Sequence, residues 1–376
     1  MSGNHSFEIF LATLPGLETV LAQEARALGF SGAAPVPGGV LFTGRWAQVW
    51  QANLHLRTAS RVLARIGAFR ALHLAQLDKR ARRVDWAGVL RADEPVRVEA
   101  TCKGSRIYHA GAARQRIETA ISETLGAPLA ADARVQIKAR IEDDLCTLSV
   151  DTSGEALHRR GHKQAVGKAP LRETMAAAFL HLCGFEGGEP LVDPMCGSGT
   201  FPIEAAEIAA ALPPGRSRGF AFERLAGFDA PAWQAMRDRA MAEASNAPAP
   251  GTRFYGFDRD AGAIAMSRDN AGRAGVAHLA EFRCQPVSDL NPPDGPPGLV
   301  MVNPPYGGRI GNRKPLHALY GALGKALLGR FAGWRVGLVT SDAALAHATG
   351  LPFDPPGPPI PHGGLTIRLY RTGPLG

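Results

Sequence analysis

The stretch LVDPMCGSGTFPIEAAEIAAAL, residues 191–212, is the most informative part of the second half of this chain. Its first three residues, ending at Asp193, predict a short strand, and the apolar spacing after Thr200 predicts a helix. Gly197 and Gly199 lie between the two, so their bare backbones can approach a ligand at the start of the helix. The order strand, glycine loop, helix predicts one unit of an α/β sheet.

Similar units follow along the chain. RFYGFDRDAGAIAMSRDNAGRAG (253–275) predicts a second strand–loop–helix, and LVMVNPPYG (299–307) and WRVGLVTSD (334–342) predict further strands. Repeated βα units are typical of a parallel, doubly wound sheet. We therefore expect a Rossmann-like α/β domain over residues 169–376.

The first half of the chain has a different pattern. Residues 1–56 show the order strand, helix, strand, helix, which predicts a small α+β domain with helices on one face of an antiparallel sheet. Residues 57–155 carry basic strands, a helix and a hairpin that turns at Asp143-Asp144. We interpret the glycine- and base-rich stretch 156–168 as a linker.

The composition is that of an ordinary globular protein, with 45% hydrophobic and 20% charged residues. No apolar stretch has membrane-spanning length and the first residues lack a secretory signal, so we expect a cytoplasmic protein without membrane contact. The five cysteines are scattered and form no cluster at zinc spacing, which favours reduced thiols and predicts no bound metal.

The net charge of +8 is unevenly distributed along the chain. Residues 1–168 hold 23 Lys or Arg against 16 Asp or Glu, whereas residues 169–376 hold 19 against 18. A basic half joined to a near-neutral half suggests that one part holds a polyanion and the other performs chemistry. A basic but merely soluble domain would show the same charge.

A proline-rich turn, Asn303-Pro304-Pro305-Tyr306, follows the apolar run 299–302, which predicts a strand buried on both faces. Proline cannot donate to a sheet ladder, so the two prolines mark the point where the strand leaves the sheet. A similar triplet at 291–293 has no buried strand before it and is followed by Asp294. We interpret that triplet as a surface turn.

Two carboxylates follow other predicted strands. Asp258 ends the strand FYGFD and can accept both hydroxyls of a ribose, and Asp289 follows AEFRCQPV, where it can meet an adenine amino group. A dinucleotide site is the alternative for the glycine loop. That fingerprint is incomplete here, because its third glycine position holds Pro202.

The segment from Asp193 to Thr200, taken together with Asn303-Pro304-Pro305-Tyr306, resembles the class I S-adenosylmethionine-dependent methyltransferases that act on exocyclic amines. The resemblance implies that S-adenosylmethionine is the cofactor. It implies cofactor contacts from the loop and the strand-end carboxylates, namely Asp193, Met195, Gly197, Gly199, Asp258 and Asp289. It also implies a catalytic turn made of Asn303, Pro304, Pro305 and Tyr306.

The low nucleophilicity of an exocyclic amine explains why such a turn would be needed. The lone pair of an exocyclic amine is delocalised into the base, so the amine is a poor nucleophile. Acceptance of both amine protons by the Asn303 side-chain oxygen and the Pro304 carbonyl would aim the lone pair at the methyl group. Tyr306 can stack on a base taken out of its helix. Cys196 invites a cysteine-nucleophile mechanism instead, but its place in the glycine loop favours a packing role.

The first half also resembles this family, since HAGAARQRIETAI (109–121) and its neighbouring strands look like a THUMP domain, an RNA-binding module, over residues 57–155. Such a module usually follows a small ferredoxin-like domain, so the resemblance implies a ferredoxin-like fold for residues 1–56. The segments 156–180 and 218–229 resemble the connector and insertion of bacterial THUMP-containing guanine-N2 methyltransferases. We predict RNA contacts from basic residues of the THUMP-like range and the linker: Lys103, Arg106, Arg114, Arg116, Arg159, Arg160 and Lys163.

The resemblance implies N2-methylation of a guanosine in large-subunit ribosomal RNA. We expect a monomer, although nothing in the sequence determines the oligomeric state. Transfer RNA as the substrate is the first alternative, because THUMP modules also dock transfer RNA. An adenine-N6 nucleic-acid methylase is the second alternative, since it shares the Asn-Pro-Pro-Tyr motif. A non-catalytic RNA-binding protein with a relic methyltransferase fold is the third.

Overall fold

The computed structural model describes residues 6–164, 171–246, 251, 253–306 and 313–376, which form two compact units. The first unit comprises residues 1–13, 21–157 and 218–238, and the second comprises residues 14–20, 158–217 and 239–376. Residues 165–168 of the predicted linker and 169–170 of the predicted α/β domain lie outside the described residues. No described helix combines the length and apolar character that a membrane span requires.

The first unit is built on one seven-stranded sheet in the order β2-β3-β1-β4-β7-β6-β5. Its strands are β1 (Phe7–Ala12), β2 (Ala34–Val36), β3 (Gly39–Gly44), β4 (Arg61–Arg70), β5 (Val96–Lys103), β6 (Val135–Glu142) and β7 (Leu145–Asp151). The helices are α1 (Glu18–Ala27), α2 (Trp46–His55), α3 (Leu74–Ala81) and α4 (Ala110–Leu125). Only β5 and β6, which α4 connects, pair in parallel within this described sheet.

The predicted boundary between residues 56 and 57 does not separate two sheets. β4 pairs with β1 on one side and with β7 on the other, so Ala64 lies opposite both Ile9 and Val150. The ranges 1–56 and 57–155 therefore share one α+β layer. The predicted hairpin between β6 and β7 is confirmed, and Asp143 and Asp144 turn the chain in the left-handed region.

Residues 218–238 correct the predicted extent of the α/β domain, because they belong to the first unit. The Phe222 N–H donates to the Thr152 carbonyl at 3.0 Å, and Trp233 packs edge-on against Phe222 at 5.0 Å between ring centroids. Trp50 on α2 stacks on Phe222 at 5.9 Å. Burial of these aromatic rings holds the insertion in the first unit.

The second unit contains the predicted doubly wound sheet, in the order β10-β9-β8-β11-β12-β14-β13. Its strands are β8 (Leu191–Asp193), β9 (Phe254–Asp258), β10 (Ala280–Cys284), β11 (Leu299–Val302), β12 (Arg335–Thr340), β13 (Ile360–His362) and β14 (Leu365–Arg371). The remaining helices of the chain are α5 (Glu173–Leu182), α6 (Thr200–Ala209), α7 (Ala230–Asn246), α8 (Ala261–Ala274), α9 (Arg313–Arg330) and α10 (Ala343–Ala348). β8 to β12 run parallel, and β14 is antiparallel to both of its neighbours.

Two apolar cores cover the two faces of this sheet. Leu299 and Met301 of β11 belong to the core that α5, α6 and α8 contribute to, whereas Val300 and Val302 belong to the core under α9 and α10. The apolar run of β11 is thus buried on both faces, as the sequence predicted. This burial fixes the position of the turn that begins at Asn303.

A buried ion cluster in the second unit corrects one of the predicted RNA contacts. Arg160 is 2% exposed, and its guanidinium pairs with Glu204 and Glu207 of α6. Arg216 pairs with Glu207 at 2.5 Å. The prediction that Arg160 contacts a phosphate is therefore wrong, because a buried guanidinium between two carboxylates is not placed to reach RNA.

Lys163 is corrected for the same reason. Its side chain is only 10% exposed and lies 3.4 Å from a Glu173 carboxylate oxygen. Arg159, in contrast, is exposed, so its predicted contact with RNA stays a prediction. Neighbouring basic residues of one segment thus have different environments.

We predict that Arg160→Met destabilises the protein by about 3–5 kcal/mol, because it removes the cation that lies between the two buried carboxylates of Glu204 and Glu207. Arg159→Met, which removes the same charge from an exposed neighbour, should change the free energy of unfolding by about 1 kcal/mol or less, because contacts of an exposed charge contribute little. Urea denaturation of both variants measures the difference. Equal stability of the two variants would contradict the role assigned to the cluster.

Candidate active site

The candidate site lies where the strand order of the second sheet reverses. After β8 the chain builds β9 and β10 on one side, while β11 and β12 lie on the other. β8 and β11 are parallel neighbours, with Leu191 opposite Leu299 and Val192 opposite Val300. Ligands of open α/β sheets bind in the crevice outside the carboxyl ends of such strands. Asp193 and Asn303 stand at this crevice.

The glycine loop between β8 and α6 depends on two residues in the left-handed region. Gly197 has a φ of 56° and Gly199 a φ of 80°. A Cβ on Gly199 would also lie 3.1 Å from atoms of Ile203, Phe282 and Ser267, so this position is closed to side chains. The loop thereby brings bare backbone to the start of α6.

Asp258 closes the loop from the end of β9. One of its carboxylate oxygens accepts the Gly197 N–H at 3.0 Å, and the other accepts the Asp260 N–H at 3.0 Å. Each oxygen keeps a second lone pair for a ligand hydroxyl. The half-buried carboxylate is thus held rigidly while it can still accept hydrogen bonds.

Asp193 is the most deeply buried carboxyl group of the site, at 2% exposure. It accepts the Met195 N–H at 3.0 Å, and Met195 itself packs partly against the apolar core. Burial raises the pKa of Asp193 well above its ordinary value, and the like charge of Asp258 adds to that rise. The site therefore favours a positively charged ligand.

Asp289 is placed less closely than the other predicted cofactor residues. It ends a short 3-10 helix, Val287–Asp289, that follows β10, and its side chain is exposed. Its carboxylate accepts the Ser288 hydroxyl at 3.0 Å. The described hydrogen bonds of Asp289 do not reach the glycine loop, so its contact with a cofactor stays a prediction.

Asn303 carries the most informative atom of the predicted catalytic turn. Its Oδ1 is buried and has no hydrogen-bond partner among the described residues. A buried acceptor without a donor costs about 1–3 kcal/mol, so such an atom marks a place where a ligand donor fits. Pro304 is buried, Pro305 is exposed, and Tyr306 is half-buried against both apolar cores.

Tyr320 of α9 supports this turn, although it belongs to no motif that would identify it in the sequence. Its hydroxyl lies 3.3 Å from the Pro305 carbonyl and 3.3 Å from the Thr340 hydroxyl at the end of β12. The Tyr320 residue is fully buried, and burial raises the pKa of its phenol. A neutral phenol is therefore available to donate to the turn.

Ser267 and Asn270 of α8 support the glycine loop and were also missed from the sequence. The Ser267 hydroxyl donates to the Gly197 carbonyl at 2.9 Å, and the Asn270 amide donates to the Ser198 carbonyl at 3.1 Å. Both residues are fully buried. Two polar residues three positions apart on an otherwise apolar helix face were the available signal.

Cys196 has the packing role that the sequence favoured. It is 6% exposed, and its sulfur lies 3.8 Å from the Ser267 hydroxyl. Burial raises the pKa of its thiol well above the ordinary value, so the reactive thiolate is suppressed. The described residues contain no group of three or more His, Cys, Asp or Glu side chains that could hold a metal ion.

The remaining predicted RNA contacts are exposed residues of the first unit. Lys103 ends β5, Arg106 lies in the turn after it, and Arg114 and Arg116 lie on α4. Tyr108, between these residues in sequence, is 84% exposed. Among the described residues it is the one aromatic side chain that is mostly exposed, and the sequence analysis did not select it.

Two family models match the chain. The RMKL-like methyltransferase domain (UPF0020) matches residues 160–351, which is about half of the chain and includes the whole candidate site. The RlmL ferredoxin-like domain matches residues 8–63. The second match confirms the predicted ferredoxin-like fold at the start of the chain and ends inside β4.

Three solved structures extend the similarity to nearly the whole chain, since each match covers 99% of it. A possible methylase from Clostridium difficile 630 is 29% identical over 99% of its own length, with a TM-score of 0.90. SMU.472, a putative methyltransferase complexed with SAH, is 27% identical over 99% of its length, with a TM-score of 0.89. A predicted N6-adenine-specific DNA methylase from Listeria monocytogenes is 30% identical over 97% of its length, with a TM-score of 0.88.

We predict that Asp193→Asn stabilises the protein by roughly 1–3 kcal/mol at neutral pH, because the amide has no charge for burial to desolvate. Because the folded-state pKa of Asp193 is raised, its penalty is absent below the ordinary value of 3.8 and grows as the pH rises toward the folded-state value. The difference in free energy of unfolding between variant and parent should therefore be largest at neutral pH and shrink steadily as the pH falls toward 4.

Unfolding of both proteins by urea between pH 4 and pH 8 measures this difference. A variant that is less stable than the parent at neutral pH would show that Asp193 is instead stabilised as an anion.

Proposed function

We propose that this chain, which belongs to the RMKL-like methyltransferase family (UPF0020), methylates the exocyclic N2 amine of a guanosine in large-subunit ribosomal RNA, with S-adenosylmethionine as the methyl donor. The observation that carries the proposal is the buried Asn303 Oδ1, an acceptor without a donor among the described residues at the end of β11. An exocyclic amine supplies the donor that this atom lacks. The choice of guanosine and of ribosomal RNA rests on the sequence resemblance.

The charges of the site fit S-adenosylmethionine, which supplies an electrophilic methyl group on a positively charged sulfur. Its cationic groups would reduce the cost of burying the Asp193 carboxylate beside Asp258. Asp258 has lone pairs free for the ribose hydroxyls, and Gly197 and Gly199 leave room for close backbone approach. The SAH in the related SMU.472 structure, S-adenosylhomocysteine, is the demethylated form of this donor.

The proline turn positions the amine. Asn303 Oδ1 and the Pro304 carbonyl accept its two protons, which favours a tetrahedral nitrogen with its lone pair available for attack. The fixed φ angles of the prolines, and the contact of the Tyr320 hydroxyl with the Pro305 carbonyl, keep these acceptors in place. The methylated amine then releases its extra proton, so the turn needs no general base.

The first unit offers features that suit single-stranded RNA. Three of its exposed cations pair with carboxylates only on the surface: Lys103 with Glu142 at 3.2 Å, Arg106 with Asp144 at 3.9 Å, and Arg114 with Glu118 at 3.6 Å. Surface pairs of this kind contribute little to stability, so phosphates can displace them. The exposed ring of Tyr108 can stack on an unpaired base.

Adenine-N6 methylation is the second candidate, because the similar Listeria protein is described as a predicted N6-adenine-specific DNA methylase. The proline turn suits either amine. Transfer of labelled methyl groups to ribosomal RNA, transfer RNA and DNA, followed by mass spectrometry of the nucleosides, separates the candidates. We expect N2-methylguanosine in large-subunit ribosomal RNA. N6-methyladenine, or N2-methylguanosine in transfer RNA alone, would replace the proposed substrate.

We predict that Asn303→Ala slows methyl transfer by about 100-fold or more, because one of the two amine acceptors is lost. Affinity for S-adenosylmethionine, measured by calorimetry, should stay within about twofold of the parent. The stability of the protein should not fall, since Asn303 Oδ1 has no described partner to lose.

Asn291→Ala is the matched control, since Asn291 starts the similar triplet but is exposed and donates only to the Asp289 carbonyl among its described contacts. It should leave the transfer rate unchanged. A large rate loss in Asn291→Ala, with little loss in Asn303→Ala, would show that the wrong triplet was assigned.

We predict that Lys103→Glu combined with Arg106→Glu lowers RNA affinity by at least about tenfold and flattens its dependence on salt, because fewer counterions are released. The matched control is Arg91→Glu combined with Arg134→Glu. These two exposed residues precede β5 and β6, so they lie at the other end of this strand pair from Lys103 and Arg106. Filter binding at several salt concentrations measures both variants. Equal effects of the two pairs would indicate an unspecific response to net charge.

We predict that Tyr108→Ala lowers RNA affinity by about 1–3 kcal/mol without changing the salt dependence, because stacking releases no counterions. Tyr108→Phe should bind like the parent. The comparison uses single-stranded and fully paired RNA of one length, and only the single-stranded RNA should distinguish Tyr108→Ala. Equal losses on both RNAs would contradict a stacking role.

A further inference from the structure

Lys163, in the predicted linker (156–168), contacts the residue that follows the glycine loop. Its ammonium group donates to the Leu171 carbonyl at 2.7 Å and to the Thr200 hydroxyl at 3.0 Å. Thr200 is the first residue of α6 and directly follows Gly199. The third neighbour of the ammonium group is the Glu173 carboxylate, at the first turn of α5.

A second set of contacts joins the linker to the part of the glycine loop that precedes Gly199. Arg273 of α8 donates to the His162 carbonyl at 2.8 Å and to the Asn270 amide oxygen at 2.5 Å. Asn270 in turn donates to the Ser198 carbonyl. Residues 162–163 are therefore connected to the loop both before and after Gly199.

The environment of Lys163 disfavours the charged form of its side chain. Burial lowers the pKa of its ammonium group, and the Glu173 carboxylate opposes that effect. A lysine that served only to attract phosphate would keep its ammonium group in water. In this buried position the ammonium group joins three acceptors that belong to separate segments of the chain.

We propose that Lys163 is a positioning residue for S-adenosylmethionine: it holds Thr200 and Leu171 so that the loop of Gly197 and Gly199 keeps its binding shape. The inference rests on the proposed function, because it takes this loop as the cofactor site. It also replaces the phosphate contact that the sequence suggested for Lys163. Preorganisation of a loop lowers the entropy that a ligand must remove on binding.

Two variants test the contact from its two ends. Lys163→Met removes the ammonium group and keeps an unbranched side chain of nearly the same length. Thr200→Val removes the hydroxyl and keeps the branched shape. We expect each variant to bind S-adenosylmethionine at least about tenfold more weakly, with the rate at saturating cofactor within about twofold of the parent. The double variant should be no weaker than Lys163→Met alone, because both changes break the same contact.

RNA affinity and its salt dependence, measured on the same proteins, should match those of the parent. Lys325→Met, an exposed lysine on α9, is the matched control and should change neither affinity. The melting temperature without cofactor reports general damage. If Lys163→Met fails to fold, Thr200→Val retains the Glu173 pair and still decides the question.

Unchanged cofactor affinity in Lys163→Met and Thr200→Val would overturn the inference. If Lys163→Met weakened RNA binding but left cofactor binding normal, this inference would be wrong and the predicted contact of Lys163 with a phosphate would be supported instead. A parent protein that does not bind S-adenosylmethionine would overturn the proposed function and this inference with it. A parent that binds normally, with variants that bind equally well, would overturn this inference alone.

Discussion

The parallel pairing of β8 with β11 is the constraint on which the candidate site depends. It places the ends of two strands that are far apart in the sequence side by side, so that Asp193 and Asn303 share one crevice. The glycine loop and the proline turn both begin there. The polar residues of the surrounding helices act on these two segments: Ser267 and Asn270 hold the loop, and Tyr320 contacts the turn.

The sequence predicted the parts of the site that follow from strand ends. Parallel strands bring their carboxyl ends to one edge, so the residues after each apolar run were found without a structure. The supporting residues were not found, because Ser267, Asn270 and Tyr320 donate to backbone carbonyls of distant segments. A carbonyl has no side-chain identity, so such a contact leaves no spacing or motif in the sequence.

The charge of a residue was the sequence feature that predicted least reliably whether its side chain is exposed or buried. The linker looked like a solvated basic segment, yet Arg160 and Lys163 are buried against carboxylates of α5 and α6. Glu204 and Glu207 lie among apolar residues of α6, and nothing in either segment alone indicates its partner. A sum of charges over the first half counts these paired cations as free, and it therefore overstates the charge available to a polyanion.

The path of the chain has a consequence for how such a protein can evolve and be dissected. The chain passes from one unit to the other five times, after residues 13, 20, 157, 217 and 238. No single cut releases either unit whole, since residues 218–238 carry Phe222 and Trp233 into the first unit from within the second half of the sequence. Exchange of either unit with another gene would therefore need several crossovers, and a chain cut after residue 157 would leave Trp50 without its contacts to Phe222 and Trp233.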